Sequence, residues 1–327
     1  LDQVSPGMSV QVQRGLSFDE WQGLRSGDMT ASELGILFGD YRYQTPLGLY
    51  HRKTSGVPPR ETEEFRRGRI FEPAVAEMLN MEAPFLALER MSGHREHAYW
   101  RARSTDPYLR LGATLDYRGT CDRDDLGMWL DARDVTHPVW TLPDRPLRIA
   151  VEAKTVIDGA FRTHWKAGAP RGYTLQAATQ AMLDGADLAL LVAMVVTSGL
   201  SLSLHVWAVP RLLNVERTIC EKVSGFWASV AAQRVPKAMG EDNDSIGDMY
   251  EPIRGQVADF RDPKWAAMAA TREDNKAAIK VLQEENDTIE VAFKQHMGPA
   301  TEGDLPGWKL NWRPNSKARP FILQREK

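Results

Sequence analysis

Apolar residues recur along this chain with two different periods, and the changes between them mark its elements. Ser17-Phe-Asp-Glu20 sets a hydroxyl three residues before a carboxylate, the spacing of a capping box, so a helix carrying Trp21 and Leu24 starts there. Thr30 or Ser32 can cap the next helix, and after a turn at Tyr41 to Pro46 a third runs to about Gly56. Phe71, Val75 and Met78 or Leu79 fall at helical spacing and predict a buried stripe. Glu72 lies beside that stripe, where an acid is tolerated if it is paired or near a cation. The period then shortens. Leu111-Gly-Ala-Thr-Leu-Asp116 and Leu147-Arg-Ile-Ala-Val-Glu-Ala-Lys-Thr155 read as strands, joined by a polar insert with little chemistry of its own. A helix over Tyr173 to Gly185 precedes a strand hairpin, Asp187 to Val196 and Ser201 to Val209, in which His205 takes a polar, surface position. A helix from about Leu212 to Ala232 follows. Asp242 to Asp248 has the character of a linker, and Ala266 to His296 that of a long charged helix with Ile279, Leu282, Ile289 and Phe293 as its stripe. Gly298 closes that helix, and a small hairpin from Gly307 to Leu323 ends the pattern.

Strand alternation gives the second apolar run its interest. Glu152 and Lys154 point to one face and Ala153 to the other, so a carboxylate and an ammonium project together. With Asp116 on a neighbouring strand, two carboxylates and a lysine converge, an arrangement that holds a divalent cation on hard oxygen ligands. The triplet reads equally as a surface ion pair on an edge strand. Asp262-Pro-Lys264 and Asp274-Asn-Lys276 share its spacing, but the first contains a proline and the second sits in a charged helical stretch.

Composition narrows the classes. The 327 residues suffice for one large domain or two unequal ones. With 41 basic and 44 acidic residues the formal net charge is -3, so any contact with nucleic acid depends on a local patch. Arg60, Arg66, Arg67, Arg69, Arg90, Arg95, Arg101 and Arg103 offer such charge, although part of the set reads as solvated surface. Two cysteines, Cys121 and Cys220, are too few for a zinc cluster and suit a reducing compartment. The longest apolar run, Leu188 to Val196, is too short to span a membrane, and the expected location is the cytoplasm of a bacterium or phage-infected host.

Two further groups carry chemistry beside a bland reading. Hydroxyls at Thr30 and Ser32 with Arg25 nearby can form a phosphate site at a helix start, or cap the helix and no more. Gln176 and Gln180 lie one turn apart, where they can hydrogen-bond bases, phosphates or metal-bound water, or simply face solvent.

In order along the chain stand Arg25-Ser-Gly-Asp-Met-Thr-Ala-Ser32, Arg67-Gly-Arg-Ile-Phe-Glu72, Ala113-Thr-Leu-Asp116, Glu152-Ala-Lys154 and Tyr173-Thr-Leu-Gln176. On these segments the stretch from about Phe18 to Val209 resembles the lambda exonuclease and YqaJ-type phage recombination nucleases of the PD-(D/E)XK fold. The resemblance implies an α/β (α+β) restriction-endonuclease-like core, a mixed central sheet flanked by helices, with a C-terminal helical extension. Residues 1–16 would be an N-terminal arm, 17–235 the nuclease domain, and 236–327 a linker, long helix and terminal hairpin packing on or beside the core. It further implies that Asp116, Glu152 and the Ala153 carbonyl bind Mg²⁺, with Mn²⁺ as substitute and two ions per site. Glu72 would assist the second ion. Lys154 would orient and help deprotonate the attacking water, and Gln176 would hold the site or the DNA. Arg25, Ser32 and Thr114 would form a 5′-phosphate pocket, with Thr30 and Gln180 among the DNA contacts. Two departures stand out: Leu115 replaces the proline of the family name, and Thr114 stands where serine is usual. The implied activity is 5′-to-3′ degradation of one strand of duplex DNA from an end, leaving 3′ overhangs for a single-strand annealing protein, from a homotrimeric ring. The alternatives are an endonuclease of this fold for repair or restriction and a noncatalytic DNA-binding protein that keeps it.

Overall fold

The chain crosses directly from one mixed sheet to the other at Thr114 to Asp116, between β strands that end at Ala113 and start at Tyr117, and the placement of the site follows from it. The computed structural model describes residues 8–40, 44–56, 62–91, 97–197, 199, 201–250, 252–313 and 321–325. Tyr41 to Tyr43, Arg60, Arg95 and the segment 314–320 of the terminal hairpin lie outside the described residues. The chain divides into two compact units, Leu1–Glu251 and Pro252–Lys327.

The first unit begins with β1 (Met8–Leu16), α1 (Phe18–Gly27), β2 (Met29–Thr30), a 3-10 turn (Ala31–Glu33), α2 (Leu34–Leu37), α3 (Pro46–Ser55) and α4 (Glu63–Glu82). Next come β3 (Ala87–Arg90), β4 (His97–Ser104), β5 (Leu111–Ala113), β6 (Tyr117–Cys121), α5 (Arg123–Asp131) and β7 (Leu147–Ile157). The unit closes with α6 (Asp158–His164), α7 (Arg171–Asp184), β8 (Leu188–Val196), β9 (Leu202–Pro210), α8 (Leu213–Ala231) and α9 (Asn243–Met249). One sheet has the order β1-β4-β5-β2 and the other β3-β6-β7-β8-β9. The second is antiparallel except between β7 and β8, where Glu152 pairs with Leu191 and Lys154 with Ala193 in parallel register.

The central strands of this sheet are covered on both faces, so they read as nearly continuous apolar runs. Ala150, Ala189, Leu191 and Ala193 face a core shared with α7 and α8, while Ile149, Val151, Leu190 and Val192 face one shared with α4 and α5. Glu152 and Lys154 stand on the α7 side of β7, two positions on from Ala150.

Several sequence expectations shift. The run from Leu111 to Asp116 is not one strand: β5 ends at Ala113 in the first sheet and β6 starts at Tyr117 in the second. The polar insert after β6 contains α5, whose Leu126, Trp129 and Leu130 are buried, so it contributes core. Phe71 is exposed, and Val75, Ala76 and Leu79 make the buried stripe of α4. His205 is half-buried against Phe161, with ring centroids 4.3 Å apart. Residues 8–16, expected as a loose arm, pair antiparallel with β4. Residues 236–251, expected to open the linker, belong to the first unit, to which buried Asp242 is tied by the hydrogen bond it accepts from Thr45 Oγ1. Arg90 and Arg101 are paired with Glu72 and Asp28, which offsets the positive charge they seemed to offer, while Arg103 donates to the neutral Gln11 and keeps its charge.

The second unit consists of α10 (Pro263–Met297) and a sheet of β10 (Glu302–Leu305), β11 (Trp308–Asn311) and β12 (Ile322–Arg325), one strand more than the hairpin read from sequence. Gly298 closes α10 with φ 53° and ψ -120°, a positive-φ backbone that suits glycine. Met297 and Leu310 are buried, whereas Ile279, Leu282 and Ile289 are exposed along the helix. Among the described residues no helix is long and apolar enough to cross a membrane.

One glycine matters for the crossing. A Cβ on Gly112 would lie 2.1 Å from the hydroxyl of buried Tyr99, and both lie on central strands with no room to yield. Gly112→Ala is therefore expected to destabilise the protein by about 1–3 kcal/mol through overpacking, read as a lower urea midpoint. An unchanged midpoint would show that Tyr99 can move aside.

Candidate active site

Asp116 is the last residue of the crossing and continues the antiparallel register in which Tyr117 faces Val151. That places it across from Glu152, and its Oδ2 accepts the Ala153 backbone N–H at 2.9 Å. Glu152 is fully buried. A carboxylate can stand there only with donors around it, and it has two: the Lys154 ammonium on Oε1 and the Gln180 amide on Oε2. The same amide donates to the Thr114 carbonyl at 2.9 Å, so Gln180 ties α7 to β7 and to the crossing at once. Its own oxygen, Oε1, is buried and meets no donor among the described residues. Lys154 also lies 5.0 Å from the ring centroid of Tyr173. Glu72 reaches the site from α4, with Arg90 Nη2 3.4 Å from its Oε1.

Electrostatics make this a crowded acidic site. Burial holds the Asp116 carboxyl well above the usual carboxylate range, and the charges of Glu152 and Glu72 push it further. Glu72 is raised as well, by burial first, with Arg90 opposing and Glu152 adding. Burial alone would lower Lys154, but Glu152 and Asp116 outweigh it and the net shift is upward. In the field of these carboxylates the protonated form of Lys154 is favoured.

The residues present fit a hard divalent cation. Their donors are carboxylate oxygens, the negative charge is under-compensated, and the orphaned Gln180 Oε1 opens beside them. Among the described residues no three acidic, histidine or cysteine side chains form a tight metal cluster. Asp116 and Glu152 are the carboxylates that could hold such a cation, with Glu72 further out.

The pocket expected for a 5′ phosphate starts two residues before Asp116. Arg25 Nη1 lies 3.3 Å from Thr114 Oγ1, and the Trp21 indole N–H donates to the same oxygen at 2.8 Å. Thr30 Oγ1 and Ser32 Oγ are 3.1 Å apart, on the turn that follows the pairing of Thr30 with Gly112. The helix behind them is short, a 3-10 turn and four residues of α2, and the Thr30 N–H is already taken by Glu33 Oε2 at 2.8 Å. Side chains therefore carry the pocket, and the helix start adds little. Buried Lys53 braces it from below, donating to the Arg25 and Asp28 carbonyls at 3.0 and 2.6 Å and lying 2.8 Å from Glu33 Oε2.

The structure brings Gln180 onto Glu152, and Gln176, one turn earlier, is half-buried without a hydrogen bond among the described residues. Sequence reasoning passed over Trp21, Lys53 and Tyr173 as site residues. A tryptophan one turn before Arg25 on α1 was a usable signal, whereas nothing sets Lys53 apart from other lysines.

A carboxyl with a raised folded pKa costs stability where it is ionised, above that pKa, and costs nothing below its unfolded pKa. Asp116→Asn is accordingly expected to stabilise the chelator-treated protein by about 1 kcal/mol near pH 8, the ordinary scale of a single-site effect. The gain should shrink towards about pH 5. Urea unfolding at both pH values measures it, and a loss of stability at both would mean that the Ala153 hydrogen bond outweighs the repulsion.

No curated protein matches this sequence. Among solved structures it is similar to the alkaline exonuclease LHK-Exo of Laribacter hongkongensis, at 17% identity and a TM-score of 0.44, covering 66% of this chain and 93% of the other. The same enzyme in complex with dAMP gives a TM-score of 0.43 at equal identity and coverage. The family model of the YqaJ-like viral recombinase domain matches residues 20–187, which span α1, the crossing, β7 and α7 and so include every residue placed in the site above. The chain belongs to the YqaJ-like viral recombinase domain family.

Proposed function

We propose that this protein is a metal-dependent deoxyribonuclease that digests duplex DNA from its ends in the 5′-to-3′ direction and leaves 3′ single-stranded overhangs for recombination. One observation carries the reading: the donors of Trp21 and Arg25 meet at Thr114, two residues from the acidic centre at Asp116. Two residues span at most about 7 Å of chain. An end phosphate held at Thr114 therefore leaves the adjoining phosphodiester close to Asp116. Family membership supports the recombination setting.

Asp116, Glu152 and the Ala153 carbonyl hold the cation, with Glu72 serving a second. A bound Mg²⁺ or Mn²⁺ supplies Lewis acidity to the phosphoryl oxygen and acidifies water. Lys154 donates to the attacking water and holds it in line, and Gln180 keeps Glu152 in place. Arg25, Thr114, Ser32 and Thr30 bind the 5′ phosphate. A guanidinium fork suits a terminal monoester, which carries more charge than an internal diester. A homotrimeric ring around the duplex and transfer of the overhang to a single-strand annealing protein complete the proposal. Light scattering that finds a monomer still digesting processively would overturn the ring.

The decisive comparison uses linear duplexes with 5′-phosphate or 5′-hydroxyl ends and a closed circle, in Mg²⁺. Phosphorylated ends should be digested about ten- to hundred-fold faster than hydroxyl ends, the worth of charge-assisted hydrogen bonds, and the circle should survive. Cutting of the circle with no preference between ends would replace the exonuclease by an endonuclease. Activity in chelator would end the metal mechanism.

Lys154→Ala should lower the rate about 10²- to 10⁴-fold, the range for a positioned proton-handling group, while duplex affinity falls far less. Parallel losses in rate and affinity would make Lys154 a plain phosphate contact.

A further inference from the structure

The pocket at Thr114 has a hydrogen-bond polarity, and a residue behind it sets that polarity. Thr114 Oγ1 receives the Trp21 indole N–H at 2.8 Å and Arg25 Nη1 at 3.3 Å. A hydroxyl oxygen has two acceptor lone pairs and a single hydrogen to give. Indole and guanidinium nitrogens only donate, so both lone pairs are committed. The hydroxyl hydrogen must turn away from both, and among the described residues no acceptor takes it. Trp21 is itself held by neighbours. Its ring stacks on His97 at 4.5 Å with 16° between the planes, and the Arg25 guanidinium lies 4.5 Å from its centroid. One side chain thus fixes the rotor of Thr114 and lays Arg25 beside it.

We propose that Trp21 is the specificity-setting residue of the end pocket: by occupying Thr114 as an acceptor it makes the pocket present donors only, and so selects a terminal phosphate monoester over a 5′ hydroxyl. A phosphate monoester offers acceptors on every oxygen once ionised, so each pocket donor finds a partner. A 5′ hydroxyl brings a hydrogen of its own and no charge, and leaves donors unmatched. The inference rests on the exonuclease reading of the pocket and deepens it, since it names the residue that decides which end is accepted. Trp21 acts through Thr114 and Arg25 and is a positioning residue.

The test is binding of short duplexes with 5′-phosphate or 5′-hydroxyl ends to the full chain in chelator, followed by fluorescence anisotropy, with no dependence on turnover. The wild type is expected to prefer the phosphate about ten- to hundred-fold. Trp21→Phe keeps a ring for His97 and Arg25 but loses the N–H, and should reduce that preference about ten-fold, the lower end of a hydrogen bond to a charged group. Trp21→Tyr, a second variant without the indole N–H, should do the same. Thr114→Val should also reduce the preference, and Thr114→Ser should retain it. Adding Trp21→Phe to Thr114→Val should cost no more than Thr114→Val alone, because the two act through one hydroxyl. A Trp21→Phe protein with the wild-type preference, one that loses affinity equally for both ends, or losses that add in the double variant would each overturn the role of Trp21. A wild type that binds both ends alike would overturn the end pocket itself, which separates failure of that reading from failure of this one.

Discussion

The buried charge of Glu152 is the constraint around which this structure is arranged. An ionised carboxylate with no exposure to water is stable only if donors surround it, and the donors here come from two elements, Lys154 of the same strand and Gln180 of α7. Gln180 has a second hydrogen to give and spends it on the Thr114 carbonyl. Satisfying one buried charge therefore locks β7, α7 and the crossing between the sheets into one position. The helix that supplies this amide must lie close, and α7 does so because Ala177, Ala178 and Ala181 present almost no side chain to the core. Such a buried polar group is worth more for fixing geometry than for net stability.

Beyond Glu152 the site is not electrically satisfied. Asp116 and Glu72 are raised by burial and by their acidic neighbours, and Arg90 and Lys154 offset that only in part. A protein selected for stability alone would replace such a pair by apolar residues at little cost. Buried acids that repel one another cost stability, which is the pattern expected of a functional site rather than of a packing core. The upward shift of Lys154 belongs to the same field, because the same carboxylates favour its protonated form.

Much of this was legible in the sequence, for definite reasons. Strand alternation put Glu152 and Lys154 on one face, and the capping box Ser17 to Glu20 forms as its spacing demands. The β8–β9 hairpin and the long helices followed from hydrophobic period and length. What could not be read was which sheet a short run joins. Leu111 to Asp116 looks like one strand because its apolar residues are buried throughout, and only pairing partners reveal that Ala113 and Tyr117 belong to different sheets. Gln176 and Gln180 were equivalent on a helical wheel, and the depth of α7 decided between them. The arginines read as free charge were equally undecidable, since Asp28 and Glu72 lie far from Arg101 and Arg90 in sequence.

The crossing also divides the chemistry of the site. Upstream of Leu115 the side chains at hand are donors to an anion: Arg25, Thr114 and the hydroxyls of Thr30 and Ser32. Downstream they are acceptors for a cation: Asp116 and, across the register, Glu152. A polymer with phosphates at regular intervals matches such a pair of opposite demands only if their separation is fixed. A covalent span of two residues fixes it more tightly than packing between separate elements can, since peptide geometry does not breathe as side-chain contacts do. Leu115, fully buried in the core, anchors the middle of the span by packing. The hydrogen bonds from Gln180 to Thr114 O and from Ala153 N to Asp116 then pin the two ends of the span, so that in the proposed function end recognition and hydrolysis share one rigid ruler.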